Sequence, residues 1–479
     1  MKIKKSQITI LIFSIFLLSC SSERVTDDLP WENHGKLQVE EGLNYIEHQD
    51  GTPFLWLGCT AWGMTEWLSR EDVELYLDDR KSKGMNVVQF CLFWGKREDE
   101  PIRFTANAPN HYGHQALSEN NDIPDALHPA VKEGGSPENP NDYWDHVDFC
   151  IQAIRDRGMY AAVLPFWGRR YVNAVYPDQS SQIFTLQNIY EYGNFLGSRY
   201  KKEPHIIWVN GGDVMADAGG NFIPYYRLLA EGLAKGVTGK SLKWNKKAPE
   251  WDQLLLTYHP DGTPMRNSST WFHNDVWLDF NMIETHTSRN MIVPAIRQDL
   301  SLNPLKPTVM AEGHYEGYSG YSDTVKAIHI RRQAYQTFFA GAAGHTYGGF
   351  FDEDGNGPLF SVSNNWKGLL DWEGASQMLY LRNFLEEHKW PHWELLSEYI
   401  VSGQGEGELE KLAVKADQIV FIYFPENSTC TVKNMGEIEN ITCFDPRNGK
   451  LTPVDIQNES QFSLPADLED GVLIIKYAP

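Results

Sequence analysis

Asp213 and Glu312 are the residues whose setting in the sequence points to chemistry. Asp213 closes the run His205-Ile206-Ile207-Trp208-Val209-Asn210-Gly211-Gly212-Asp213, an apolar segment ending in Asn, two glycines and a carboxylate. A buried parallel strand that empties into a site reads this way. The glycines carry no Cβ, so the backbone can turn sharply and a ligand can approach it closely. Glu312 ends a second apolar run, 308–311. Two carboxylates brought together can break a glycosidic bond: one gives a proton to the leaving oxygen, the other meets the anomeric carbon. The proton donor must hold its proton until it is used, so burial or a neighbouring anion has to raise its pKa. The bland alternative is that Asp213 merely caps a helix or a turn.

Other side chains compete for roles. Glu284 follows another apolar run and is the alternative partner for Asp213. His259, His286 and His345 also fall at strand ends. They suit sugar hydroxyls or the orientation of carboxylates. As metal ligands they are poorly supported, because no HxH or HExxH spacing is present. Trp62, Trp94, Trp167 and Trp271 are candidate sugar platforms, although each alone is more often packing. Asn210 and Tyr315 complete the candidate substrate-binding set. Glu66 and Glu316 read as substrate hydrogen-bonders or structural acids. No GxSxG elbow exists, so a nucleophilic serine hydrolase has no support.

These residues need a scaffold. Apolar runs at 54–57, 86–93, 160–164, 205–210, 254–258, 279–283, 308–311 and 343–347 read as strands. Amphipathic helices are expected between most of them, at 142–157, 183–200, 223–235, 324–340 and 372–387. Ser69 is the expected N-cap of a helix ending at Lys83, with Gly84 as its stop. Eight strands alternating with helices is the count of a (β/α)8 TIM barrel. The polar residues gather just after the strands, at the end where such barrels place chemistry. The segment 94–141 is polar and rich in Pro, Asn and His, and reads as a long functional loop. From 391 onward, short alternating runs and turns such as Asp445-Pro446-Arg447-Asn448-Gly449 predict a small antiparallel β-sandwich. The expected organisation is a barrel over 36–390 and a sandwich over 391–479.

The N-terminus reads as an export signal. Three lysines precede an apolar stretch over 8–18, and Leu17-Leu18-Ser19-Cys20 resembles a bacterial lipobox. That resemblance implies cleavage before Cys20, lipidation of its thiol, and a polar tether over 21–35. The protein is then expected to be anchored by lipid to the bacterial cell envelope. Cys59, Cys91 and Cys150 lie in apolar surroundings and read as buried thiols; pairing of Cys430 with Cys443 stays open. The formal net charge of −22 argues against a nucleic-acid partner.

Several motifs, taken together, resemble a known family. Gly51-Thr52-Pro53-Phe54-Leu55-Trp56-Leu57-Gly58, Gly84-Met85-Asn86-Val87-Val88-Gln89, Trp208 to Asp213, Trp277-Leu278-Asp279-Phe280-Asn281-Met282 and His345-Thr346-Tyr347-Gly348 are similar to the secreted barrels of glycoside hydrolase family 140, the apiosidases. The resemblance covers nearly all of the chain after Cys20. It implies a barrel with a C-terminal sandwich, no cofactor and no metal. It also implies Asp213 as acid/base, Glu312 as nucleophile, and retention of configuration. The implied partner is a polysaccharide or oligosaccharide, with apiose-bearing side chains of the pectin rhamnogalacturonan-II foremost. Two departures, Cys59 where the family commonly has Asp and Ala311-Glu312-Gly313 where it often has Gly-Glu-Pro, bear on which sugar is taken. The competing function is a non-catalytic glycan-binding lipoprotein, which would not need an opposed carboxylate pair. The sequence leaves the oligomeric state open.

Overall fold

The computed structural model describes residues 29–99, 102–175, 182–320, 323–349, 366–455 and 460–478. The signal segment, Cys20 and most of the tether lie outside the described residues.

Eight parallel strands form the centre: β1 (Trp56–Thr60), β2 (Val87–Cys91), β3 (Tyr160–Leu164), β4 (Ile206–Gly211), β5 (Leu256–His259), β6 (Asn281–Glu284), β7 (Thr308–Glu312) and β8 (Gly344–Tyr347). Every residue in them is buried, as near-continuous apolar strands covered on both faces require. The ladder runs β5-β4-β3-β2-β1-β8-β7-β6. The ring closes between β5 and β6 by sparser bonding: Asp279 N donates to Leu256 O at 2.9 Å, and Leu256 N to Asp279 Oδ2 at 2.7 Å. This is the (β/α)8 barrel that the strand count predicts.

Besides three single-turn helices at Pro30–Asn33, Met64–Trp67 and Gly168–Tyr171, the described residues form α1 (Arg70–Ser82), α2 (Tyr143–Arg155), α3 (Ile189–Tyr200), α4 (Ile223–Thr238), α5 (Ser269–Phe272), α6 (Ile292–Leu300), α7 (Ala327–Phe339) and α8 (Glu373–Glu387). Helix α1 starts as expected: the Ser69 side chain accepts from Asp72 N, and Gly84 turns the chain at φ +82°. Helices α3 and α4, which flank β4, are almost in backbone contact. A Cβ on Gly197 would lie 2.2 Å from Leu233 O, and one on Gly232 2.2 Å from Tyr190 O. That close packing fixes the strand that delivers Asp213.

Inside the ring, Trp56 packs on Phe280 with centroids 5.8 Å apart, and its Nε1 donates to Thr346 at 3.0 Å. A Cβ on Gly344 would strike the Trp56 side chain. Gly344 and Thr346 therefore face the interior, and the period of two turns His345 outward toward the helices.

The segment expected as a loop holds two hairpins instead, Lys96–Asp99 with Ile102–Thr105 and Leu117–Asn120 with Ile123–Pro129. In the second, Asn121 and Asp122 both have positive φ, 51° and 62°, between the paired Asn120 and Ile123. That is the geometry of a two-residue primed turn, which Asn and Asp tolerate. The strands carry so little apolar pattern that the pairing does not show in composition.

The C-terminal strands form a six-stranded and a three-stranded antiparallel sheet, with a core between them that includes Val420, Ile422, Leu473 and Ile475. The outer face of the larger sheet packs on α7 and α8: Tyr335 stacks on Tyr423 at 5.0 Å, and Phe384 meets Phe444 at 4.7 Å. Arg331 of α7 grips Asp470 through three hydrogen bonds of 2.7 to 3.1 Å, both side chains buried. Cys430 and Cys443 are free thiols, and Cys59, Cys91 and Cys150 are buried and free.

Candidate active site

The strand ends β4, β5, β6 and β7 bring Asp213, His259, Glu284 and Glu312 together at the C-terminal lip. Gly211 and Gly212 take φ of +90° and +110°, and Asp213 itself sits at +48°. A Cβ on Gly212 would lie 3.0 Å from the Trp167 ring and 3.1 Å from Gly168 N. The glycine pair thus lets β4 turn beneath Trp167 and present Asp213.

One oxygen of Asp213 pairs with the Arg169 guanidinium. The other, Oδ1, is buried and has no hydrogen-bond partner among the described residues. Burial pushes the Asp213 carboxyl above its ordinary value; Glu312's charge adds to this, against the pull of Arg169.

Glu312 is the opposite case. Burial alone would raise it, but the His259 contact, the charges of His259 and His286 and the Tyr315 hydroxyl outweigh that, and its pKa falls. His259 Nε2 stands 3.2 Å from Oε2. Tyr315 Oη donates to Oε1 and itself accepts from Trp62 Nε1 at 3.0 Å. The two carboxylates are therefore pushed apart in pKa, the condition for one acid and one anion in a single site.

Glu284 lies directly across from Glu312 because the register skips one residue at Ile283/Glu284. It pairs with His286, and His259 Nδ1 is 3.5 Å away. Burial and then the Glu312 charge raise Glu284 to about 8. His286, which burial would lower, is raised to about 10, chiefly by Glu284. Exposure separates the three acids: the side chains of Asp213 and Glu312 are 20% and 7% exposed, that of Glu284 0%. Glu284 stands behind the surface that a substrate can touch. His259, Glu284 and Glu312 also offer donor atoms within 4.8 Å of one another, a set of types that suits a divalent cation.

The mouth is walled by aromatics. Trp62 lies 5.4 Å from His259 and 4.9 Å from Trp167, and Trp94 is 4.5 Å from Trp167. Trp62 and Trp94 are fully buried, so neither offers a face to a sugar, contrary to the platform expectation; Trp62 positions Tyr315 instead. Trp167 is nearly covered, at 4%. Asn210 and His345 are also corrections. Asn210 donates to Tyr226 O in α4 at 3.3 Å, tying strand to helix. His345 is completely buried on the helix side, where burial holds its pKa near 3. Both were expected at the substrate, and the alternation of the strands turns them away from it.

A family model for the catalytic domain described as apiosidase-like matches residues 40–392. The chain belongs to the apiosidase-like family. Two solved structures are similar over nearly the whole length. One is described as a glycoside hydrolase, at 26% identity and TM-score 0.76, covering 94% of this chain and 98% of that one. The other is described as a family 5 glycoside hydrolase from Bacteroides vulgatus, at 26% identity and TM-score 0.75, covering 94% of each chain. No curated protein matches. This apiosidase-like barrel is a glycosidase, and glycan hydrolysis is its class of reaction.

One position carries more than its sequence setting suggests. Arg169, the cation on Asp213, follows the third strand in Trp167-Gly168-Arg169-Arg170, and a basic pair at a strand end was the available signal. Glu66 is structural: it accepts from Trp94 N at 2.8 Å and Gly95 N at 2.9 Å, and burial raises it to about 7. Glu316 accepts from Tyr347 Oη at 2.7 Å and Gly374 N at 2.9 Å, also a framework role. Among the described residues no helix is long and apolar enough to cross a membrane.

Proposed function

We propose that this apiosidase-like protein is a retaining glycosidase of the family 140 type, with Glu312 as nucleophile and Asp213 as acid/base. The observation that carries the reading is the opposed tuning of the two acids, Asp213 upward and Glu312 downward, at one barrel mouth. Asp213 protonates the leaving oxygen as Glu312 attacks the anomeric carbon, giving a glycosyl ester and a free alcohol. Asp213, now an anion, takes a proton from water, which attacks the anomeric carbon from the face the alcohol left, breaks the ester bond and restores Glu312. Tyr315 and His259 hold Glu312 as the anion during attack, and Arg169 steadies Asp213 once it has lost its proton.

The substrate class we assign is an apiose-bearing side chain of a pectic polysaccharide, on the strength of the family match and the motifs around both acids. We further assign the protein to the envelope of a bacterium, anchored through lipid on Cys20. Mass spectrometry after treatment with an activated fluoroglycoside tests the mechanism: the label is expected on the peptide holding Glu312. Label on Glu284, or product of inverted configuration, would remove the assignment. Release of apiose from rhamnogalacturonan-II fragments tests the sugar. Transfer of the protein to the soluble fraction in Cys20→Ala tests the anchor.

The donor set of His259, Glu284 and Glu312 favours one second reading, metal-assisted hydrolysis. It predicts activity lost to a chelator and restored by zinc. The retaining mechanism predicts neither.

A further inference from the structure

A loop of the sandwich reaches the catalytic mouth. It runs from Gly403 to Lys411 and is closed by Lys411 N donating to Gln404 O at 2.7 Å. Gly407 has φ +59°, and a Cβ there would stand 2.3 Å from Asn290 Oδ1. The sandwich backbone therefore lies directly on the lip that follows β6, where Arg289–Met291 forms a single turn. Glu408 N donates to the same Oδ1 at 3.0 Å. The buried Gln336 of α7 fixes the loop by donating to Gly407 O and Glu410 O, each at 3.1 Å.

Arg289 carries this contact to the chemistry. Its side chain is 11% exposed. It donates to Glu408 through Nε, to Asp323 Oδ1 at 3.1 Å, and through Nη1 to His314 Nδ1 at 3.4 Å. Burial and then the Arg289 charge hold the His314 pKa near 3, so the ring is neutral and can accept. His314 is the neighbour of Tyr315 and lies two residues from Glu312, while Arg289 follows His286 by three. The lips are also bonded directly, Thr285 N donating to Glu312 O at 2.8 Å. One guanidinium thus ties the lip of Glu284 and His286 to the lip of Glu312 and Tyr315. Of its two carboxylates, Asp323 comes from the β7 lip's own connection and is 42% exposed; Glu408, at 26%, is supplied by the other domain. A covered cation that loses one of its anions is left undercompensated, and the backbone it holds loosens.

We propose that Glu408 is a positioning residue of the active site: through Arg289 the sandwich holds the β6 and β7 lips together, so that barrel and sandwich form one catalytic unit. Glu408 acts at a distance, through groups on the lips. Against burial, which would raise it, Glu312 is held down by His259, His286 and Tyr315, with Glu284 and Asp213 as the neighbouring acids. His286 and Tyr315 are the members of this group that the lips carry. The inference rests on Glu312 as the acting anion only for the direction in which the pH profile moves.

Glu408→Ala in the whole protein tests this, with Glu410→Ala as control. Glu410 lies in the same loop but pairs with Arg297 of α6 at 3.1 Å. Hydrogen exchange read by mass spectrometry should quicken at 285–291 and 312–316 in Glu408→Ala and not in Glu410→Ala, since exchange reports local opening. On an aryl glycoside, kcat/KM should fall by about tenfold or more in Glu408→Ala, as a small misplacement of acting groups does. Its acid limb should move upward as His286 and Tyr315 lose their hold on Glu312. Glu410→Ala should keep both rate and profile. Because Glu408 acts through Arg289, the double variant Glu408→Ala/Arg289→Ala should be no slower than Arg289→Ala alone. Glu408→Gln, a milder change, should shift exchange and rate the same way by less and guards against misfolding. Unchanged exchange at both lips would overturn the proposal, as would equal losses in Glu410→Ala or additive losses in the double variant. Faster exchange with rate and profile unaltered would also overturn it, leaving Glu408 a structural link. Turnover independent of Glu312 would count against the mechanism, while the exchange and rate comparisons would still decide the role of Glu408.

Discussion

Glu312 and Glu284 are register partners on adjacent parallel strands, so two carboxylates project side by side from β7 and β6. Like charges so placed do not both ionise readily. Here the difference is set by the surroundings. Glu312 has Tyr315, His259 and a share of solvent, while Glu284 is fully covered and has its pKa raised. Glu312→Gln is therefore expected to lower kcat by about 10³-fold or more, since it removes an interaction made in the transition state. Glu284→Gln keeps the shape of this covered side chain, which lies behind the surface a substrate can touch, and should cost about tenfold or less. Steady-state kinetics of both variants on one aryl glycoside decide it, and equal losses would mean that the exposure argument fails.

The tuning of Asp213 has a consequence in pH. The proposed mechanism requires Glu312 ionised and Asp213 protonated for the first step. The Glu312 pKa is lowered, so the acid limb of kcat/KM should lie below the ordinary glutamate value; the Asp213 pKa is raised, so activity should fall on the alkaline side as it loses its proton. Asp213→Asn removes that titration. On a substrate whose leaving group needs no proton, the variant should keep kcat/KM and lose its alkaline limb, while kcat falls because no base activates the water of the second step. On an unactivated glycoside it should be almost inactive. A persistent alkaline limb in Asp213→Asn would assign the acid to another group.

Tyr315 links two parts of the mouth: it accepts from Trp62 and donates to Glu312. A hydrogen bond to a charged group contributes about 1.5–3 kcal/mol. Tyr315→Phe keeps the ring and drops the donor, so the Glu312 pKa should rise. The acid limb of the pH profile should then move upward, with kcat/KM falling by about tenfold or more. Trp62→Phe, which removes the donor behind Tyr315 together with part of the ring that packs on Trp167 and His259, should also move the limb upward. An unmoved limb in Tyr315→Phe would show that His259 and His286 suffice to hold the anion.

The eight strands, and the placing of two acids at their ends, were legible because both rest on local pattern. A fully buried strand needs a continuous apolar run, and the acids stand where those runs end. What was not legible depends on alternation and on pairing at a distance. Asn210 and His345 carry polar groups near strand ends, as Glu312 does, but a one-residue difference in phase sends them to the helix side. Trp62 and Trp94 are aromatic at the mouth, and only packing reveals that each is covered by its neighbours. Arg169 finds Asp213 across 44 positions of chain, a pairing that no spacing announces. The register skip that sets Glu284 opposite Glu312 is equally invisible, because it resides in hydrogen bonds between strands and not in residue type.

The turn at Gly211-Gly212 was read from composition and can be tested as a structural claim. Gly212 has φ +110°, which disfavours any residue with a Cβ, and the added atom would press on Trp167 and on Gly168 N. Backbone strain of this kind costs about 1–3 kcal/mol. Gly212→Ala should therefore lower stability by about that amount in denaturant titration, and it should lower kcat more than stability alone explains, because Asp213 is the next residue and moves with the turn. Gly239→Ala is the control: its φ is +72°, nothing stands within 4 Å of the added atom, and it lies at the end of α4 away from the mouth. It should share the loss of stability in part while keeping kcat. Equal kcat for the two variants would show that Asp213 holds its place through Arg169 without help from the glycine turn.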